Sequence, residues 1–142
     1  MKYLILFIFL TLTLFSQNIH NYEQTLNDAK KENKLIYILI TSKSCKWCRK
    51  FERTTLENIS IRDRLDKEFI TLHLSVEDDK IDKKFKTSPV PRHYFVDEKG
   101  KILYSALGYR DAVLFDSFMD NAQYKYKKLK QNKDNNEIRS NR

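Results

Sequence analysis

A run of seven residues without polar alternation, "LIYILIT" from Leu35 to Thr41, places the strongest constraint on how this chain folds. A strand with one face in water alternates apolar and polar side chains, whereas an unbroken apolar run is typical of a strand covered on both faces. Such coverage requires helices above and below a sheet. The run therefore predicts the central strand of an α/β fold.

The segments on either side of this strand predict the remaining layers. In chain order, the predicted elements are a helix from the cap Asn21 to Asn33, the central strand, a helix from Cys45 with a fresh cap at Ser60, a strand from Phe69 to Val76, a short helix within 77–86, strands from His93 to Val96 and from Ile102 to Ala106, and a helix that begins at Asp111. A strand–helix–strand unit gives a parallel pair of strands, and a hairpin adds an antiparallel pair. We predict a three-layer α/β sandwich with a mixed central sheet and helices on both faces.

The N-terminal residues have the pattern of an export signal. Lys2 is followed by an apolar run from Tyr3 to Phe15, which is short for a membrane span and has the length of a signal-peptide core. We predict a signal peptide over residues 1–16. The alternative is an uncleaved anchor, which would be the only part of the protein in the membrane. In both cases the domain at residues 17–129 is exported, and the expected location is the bacterial periplasm.

The distribution of charge and glycine excludes two large classes of function. Residues 125–142 carry seven Lys and Arg but two Asp and Glu, a net charge of +5 out of +8 for the whole chain. A nucleic-acid-binding domain concentrates its positive charge on a folded face instead. The chain has two glycines, whereas phosphate-binding loops need several close together. We expect no nucleic-acid partner, and a disordered polar tail at residues 130–142.

The chain has two cysteines, Cys45 and Cys48, which directly follow the central strand. Three uses are open: redox chemistry, a metal site or an inert disulfide. A bridge across so short a loop stabilises little, because it removes little chain entropy. A zinc site needs about four ligands, and the three histidines are scattered along the sequence. Haem attachment needs histidine where Arg49 stands. The spacing therefore favours dithiol redox chemistry, with no metal and no cofactor beyond the Cys45–Cys48 disulfide.

The position of the pair predicts different roles for its two members. Cys45 would lie at a helix N-terminus, where the backbone dipole stabilises a thiolate. Lys43, Lys46 and Arg49 add positive charge nearby. Cys48 follows one turn later on the same helix face, within reach of Cys45. We predict that Cys45 is the exposed nucleophile and that Cys48 is shielded and resolves the mixed disulfide.

At this point the sequence resembles the thioredoxin superfamily, over about residues 21–124. The specific features are Cys45 and Cys48 after an apolar strand, "VP" at Val90 and Pro91 before the hairpin, and Gly108 after it. The sequence is most similar to exported thioredoxin-like proteins and to the C-terminal domain of the thiol carrier DsbD. The resemblance implies a thioredoxin fold, a cis Pro91 that faces the cysteines, and a Val90 backbone that pairs with the substrate chain.

The sequence departs from the thioredoxin pattern at the proton acceptor. Thioredoxin has a buried Asp six residues before its first cysteine, and this chain has Leu39 there. DsbD-like domains have an acid four residues after the second cysteine, a position that Glu52 occupies here. The resemblance therefore suggests Glu52 as the replacement base, with an ordinary surface glutamate as the alternative. Trp47, between the cysteines, is expected to cover the disulfide or to contact a partner, with simple surface packing as the alternative.

Together, these features predict an exported thiol–disulfide oxidoreductase that reduces substrate disulfides. Its expected partners are protein thiols and disulfides and a membrane or periplasmic redox protein, and it is expected to be a monomer. A second hypothesis is a non-catalytic peptide-binding or chaperone module with an inert disulfide. In that case exposed Trp47, Tyr94 and Tyr109 would bind a peptide without turnover.

Overall fold

The computed structural model describes residues 22–140, and these form an α/β fold. In chain order the elements are α1 (Tyr22–Glu32), β1 (Leu35–Thr41), α2 (Lys46–Phe51), a π-helical turn (Glu52–Leu56), α3 (Ile59–Glu68), β2 (Phe69–Ser75), β3 (Arg92–Val96), β4 (Ile102–Leu107) and α4 (Ala112–Ser140). The predicted signal peptide at residues 1–16 and the predicted cap Asn21 lie outside the described residues.

The four strands form one mixed sheet in the order β2-β1-β3-β4. β1 pairs with β2 in parallel, with Leu35 opposite Phe69, and pairs with β3 antiparallel. β3 and β4 form the antiparallel hairpin. The predicted central strand and the mixed sheet are therefore confirmed.

Every residue of β1 is buried, because the sheet is covered on both faces. Alternate side chains of the strand enter two separate cores. Tyr37 packs with Phe51 and Phe115 against α2, α3 and α4. Ile38 faces the other way and packs in a second core that includes Ala29 of α1. These two cores are the reason that the strand has no polar alternation, and they confirm the three-layer architecture.

The connection between β2 and β3 contains no helix, so the short helix predicted within 77–86 is wrong. The carboxylates of this segment bond to backbone N–H groups instead. Asp79 accepts from the Ser75 N–H, and Asp82 accepts from the Lys84 N–H. Such local bonds compete with helix formation. Phe85 is buried and anchors the segment to the core on the α1 side.

The helix that carries Cys48 is interrupted before α3 starts. The π-helical turn follows α2 directly, and α3 begins after Asn58, whose side chain accepts a hydrogen bond from the Ile61 N–H. The predicted restart is therefore present, but the predicted cap Ser60 is wrong, since Ser60 lies inside α3. Asn58 and Ser60 are both of residue types that cap helices well. The helix begins after the earlier of the two, Asn58.

The last helix begins where predicted and ends later. The Asp111 carboxylate accepts from the Leu114 N–H and caps α4. α4 then continues to Ser140, whereas disorder was predicted from residue 130. No glycine or proline interrupts residues 112–140, so a polar sequence can continue the helix into solvent. None of the helices within residues 22–140 is long and apolar enough to cross a membrane.

Candidate active site

The two cysteines lie at the end of the central strand and form a disulfide, with an S–S distance of 2.09 Å. Cys45 is the N-cap of α2, and its sulfur accepts a hydrogen bond of 3.0 Å from the Cys48 N–H. Cys45 is half-buried, while Cys48 is 1% exposed. A substrate can therefore approach Cys45, and the protein covers Cys48. A donor aimed at the Cys45 sulfur favours its thiolate when the pair is reduced.

A buried histidine supports the loop beside the disulfide. His93 is fully buried, with Nδ1 at 2.9 Å from the Tyr37 hydroxyl and Nε2 at 3.0 Å from the Gly108 carbonyl oxygen. A carbonyl accepts only, so Nε2 carries the hydrogen and Nδ1 accepts from Tyr37. Burial, together with the charge of Glu52, raises the pKa of Tyr37 well above its ordinary value, so the hydroxyl remains a donor. Burial lowers the pKa of His93 to about 4, so the ring is neutral near pH 7. His93 is therefore a structural residue of the core, bonded at both ring nitrogens.

An open groove lies beside the disulfide, lined by Trp47, Val90, Pro91, Gly108 and Tyr109, with a volume of about 320 Å³. The rings of Trp47 and Tyr109 are 6.0 Å apart, and the Lys50 ammonium lies over both. Trp47 is 54% exposed. The groove therefore presents exposed aromatic surface at Trp47, the residue before Cys48, and such a surface suits a polypeptide.

Pro91 lines the groove, and Pro89 lies two residues before it in the same loop. Both Ser88–Pro89 and Val90–Pro91 are cis peptide bonds. The Gly108 N–H donates to the Pro91 carbonyl oxygen at 2.8 Å, and Gly108 has φ of +87°, a conformation that favours glycine. Within residues 22–140, Val90 makes no backbone hydrogen bond. Its N–H and C=O are thus available to an extended chain in the groove.

A second cavity, of about 390 Å³, lies on the other side of Cys48 and contains Glu52 and His73 in its wall. His73 Nε2 is 2.8 Å from Thr41 Oγ1 and 3.5 Å from Glu52 Oε1. The cavity is also lined by Lys43, Cys48, Arg49, Asp78 and Asp79. The structure therefore places the predicted base beside the buried cysteine, with a histidine that sequence reasoning had not linked to it. Leu39, at the position of thioredoxin's aspartate, is 1% exposed and belongs to the core.

One residue predicted near the site lies elsewhere. Tyr94 was expected to be an exposed aromatic contact for a peptide, but it is 4% exposed. Its ring packs against Phe85, and its hydroxyl accepts from the Lys86 N–H at 2.8 Å. The prediction was wrong because β3, like β1, is covered on both faces. Trp47 and Tyr109, in contrast, both line the groove.

Comparisons with known proteins agree with this architecture. Residues 22–123 match the family model of the thioredoxin-like domain. Comparison with curated proteins finds no match. Among solved structures, a thioredoxin from Thermus thermophilus has a TM-score of 0.62 at 17% identity, over 74% of this chain and 84% of that chain. The oxidised C-terminal domain of DsbD from Neisseria meningitidis has a TM-score of 0.60 at 16% identity, over 70% of this chain and 90% of that domain.

A third similar structure is a protein described as DsbH oxidoreductase, with a TM-score of 0.58 at 17% identity, over 72% of this chain and 81% of that chain. At such identities these structures support the fold, and the family match rests on the sequence itself. The family match and the similar structures together confirm the resemblance predicted from the cysteine pair, the Val-Pro pair and Gly108. By its sequence over residues 22–123 and by its four-stranded mixed sheet, the chain belongs to the thioredoxin-like family.

Proposed function

We propose that this protein is an exported thiol–disulfide oxidoreductase that reduces disulfides in protein substrates. The observation that carries the proposal is the asymmetry of the cysteine pair: Cys45 is partly exposed, two residues before the groove-lining Trp47, and Cys48 is buried. An inert disulfide would not require that one cysteine, Cys45, be partly exposed and accept a hydrogen bond from the Cys48 N–H. The apolar N-terminal run supports export to the periplasm, where a membrane or periplasmic dithiol protein would re-reduce the disulfide.

The reaction proceeds in two exchanges. In the reduced protein, the Cys45 thiolate attacks one sulfur of the substrate disulfide, and the other substrate sulfur leaves as a thiolate that takes up a proton. Cys45 and the substrate are then joined by a mixed disulfide. Cys48 loses its proton and attacks the Cys45 sulfur, so that the Cys45–Cys48 disulfide forms and the second substrate thiolate leaves. The substrate gains two electrons from the protein. Its two thiolates take up two protons, one that Cys48 releases and one from solvent, where Cys45 left its proton on ionisation.

Glu52 is the proposed acceptor of the Cys48 proton. Both residues line the cavity behind the disulfide, where Glu52 lies half-buried on the π-helical turn that follows α2. His73, at 3.5 Å, is the proposed positioning residue for the Glu52 carboxylate. A base that removes a proton from a buried thiol acts in the second exchange and leaves the first attack unaffected.

Replacing Glu52 with glutamine is expected to slow resolution of the mixed disulfide by about 10²-fold at neutral pH, within the range typical of general base catalysis. The defect should shrink as pH rises, because hydroxide then removes the Cys48 proton. The measurement is the decay of a preformed mixed disulfide as a function of pH. The matched control is Glu57→Gln, an exposed glutamate at the end of the π-helical turn, which should decay at the unmodified rate. Equal decay of both variants would remove Glu52 from the mechanism.

The proposed function is tested by equilibrating the purified protein with thiol buffers of known potential. We expect the Cys45–Cys48 pair to titrate as one two-electron couple with a potential near that of thioredoxin, about −270 mV. A potential near that of DsbA, about −120 mV, would instead identify a protein that donates disulfides. A pair that does not titrate would contradict the oxidoreductase proposal and favour a peptide-binding module.

A further inference from the structure

Four cations lie close to the residues that line the groove beside the disulfide. Lys50 lies over the rings of Trp47 and Tyr109. The Arg92 side chain donates to the Pro89 carbonyl oxygen, in the turn that carries Val90. Arg110 lies beside Gly108, and its guanidinium donates to the Tyr109 carbonyl oxygen. Lys46 adjoins Trp47 and is exposed. We call Lys46, Lys50, Arg92 and Arg110 the cationic rim.

No carboxylate of the described residues neutralises the rim. The ion pairs within residues 22–140 involve none of its four members. No Asp or Glu lines the groove. Asp111, the neighbour of Arg110 in sequence, accepts a hydrogen bond from the Leu114 N–H at the start of α4.

The acidic residues near the disulfide lie on its other side. Glu52, Asp78 and Asp79 line the cavity behind Cys48, which shares no lining residue with the groove. Lys43 pairs with Asp78 there, at 2.6 Å. The charges near the groove are therefore mainly positive, four cations against Asp111, although the sequence outside the C-terminal residues is close to balanced in charge. Complementary charge across an interface steers encounter and selects partners.

We infer that the substrate of this protein is an acidic polypeptide segment, with Asp or Glu side chains within a few residues of its disulfide. The inference rests on the proposed function and adds the chemical class of the substrate. An apolar substrate side chain would contact Trp47 and Val90, while substrate carboxylates pair with the cationic rim. The exchange is the one given above, in which the reduced protein supplies both electrons and Cys45 forms the mixed disulfide.

The test uses two disulfide-cyclised peptides that differ only in the residues flanking the disulfide, which are glutamate in one and lysine in the other. The protein is reduced beforehand, and the rate constant for peptide reduction is measured in a single turnover. At about 0.01 M salt we expect the glutamate peptide to react at least about tenfold faster. At about 1 M salt the difference should nearly disappear, because screening is then complete within a few ångströms. This comparison needs no variant and so does not depend on whether a mutant folds.

Charge reversal then locates the effect. Lys50→Glu, Arg92→Glu and Arg110→Glu, combined in one variant, should abolish or invert the preference for the glutamate peptide. The control combines Lys30→Glu, Lys67→Glu and Lys99→Glu, which change the net charge equally. These three exposed lysines lie near the ends of the strands that face away from the cysteines, where β1 and β2 begin and β3 ends. The control should retain the preference.

Two results would overturn the inference while leaving the proposed function intact: equal rates for the two peptides at low salt, or an equal loss of preference in both variants. The second result would assign the effect to net charge. Reduction of neither peptide, by a protein whose cysteine pair also fails to titrate, would overturn the proposed function and the inference together.

Discussion

Replacing Cys48 with serine is expected to make the protein accumulate as mixed disulfides with its partners, joined through Cys45. The physical reason is the asymmetry in burial. Cys45 remains accessible for attack, whereas the buried position that normally supplies the second thiol now holds a hydroxyl, which does not resolve the bond. Turnover should fall to the uncatalysed rate. The measurement is the appearance, on non-reducing gels, of higher-mass species that dithiothreitol removes.

The matched control for this experiment is Cys45→Ser. That variant keeps the buried thiol and loses the accessible one, so it should trap nothing and should also be inactive. Trapping by both variants, or by Cys45→Ser alone, would contradict the assignment of Cys45 as the attacking residue. Absence of trapping by Cys48→Ser in cells that contain the partner would support an inert disulfide.

A second large effect is expected on stability below neutral pH. His93 has a pKa of about 4 in the folded protein, chiefly because of burial, and an ordinary histidine value of about 6.5 when the chain is unfolded. Above about pH 6.5 the ring is neutral in both states, and its contribution to stability is complete. As pH falls from about 6.5 to about 4, the unfolded state binds a proton that the folded state does not, so the free energy of unfolding decreases by up to about 3 kcal/mol.

His93→Gln isolates this effect from other titrating groups. Glutamine can donate to the Gly108 carbonyl oxygen and accept from Tyr37, and it does not titrate. The free energy of unfolding of both proteins is measured in urea across this pH range. The difference between unmodified protein and variant should fall by about 3 kcal/mol from the neutral end to the acid end of the range. A difference that stays constant would mean that His93 is not a buried neutral ring.

The central layer of the fold and the cysteine pair could be predicted from sequence because each depends on local pattern. The unbroken run Leu35–Thr41 has one structural explanation, and it leads directly into Cys45. The segment 77–86 could not be predicted in the same way. Its apolar spacing suits a helix, but bonds from Asp79 and Asp82 to backbone N–H groups hold it in turns.

The site contacts that could not be predicted from the sequence depend on which residues of neighbouring strands lie opposite each other. Leu39 lies opposite His73 in the parallel pair, and this pairing places the histidine beside the end of β1, next to Thr41 and Glu52. Nothing in the sequence near His73 marks it as part of a site. The prediction that Tyr94 is exposed was wrong for a more local reason. Phe85, in the connection that leads into β3, packs against the Tyr94 ring.

The register between β1 and β3 also determines how the cysteines are positioned relative to Pro91. Ile40 lies opposite Arg92, so the strand that ends at the cysteines is hydrogen-bonded to the strand that follows Pro91. The strand that leads to the cysteines and the strand that follows Pro91 are therefore held at the spacing of adjacent strands, about 4.8 Å. The turn at 97–101 lies at the far end of the hairpin. The pairing of β1 with β3 beside the site is therefore set at the end of the hairpin away from that turn.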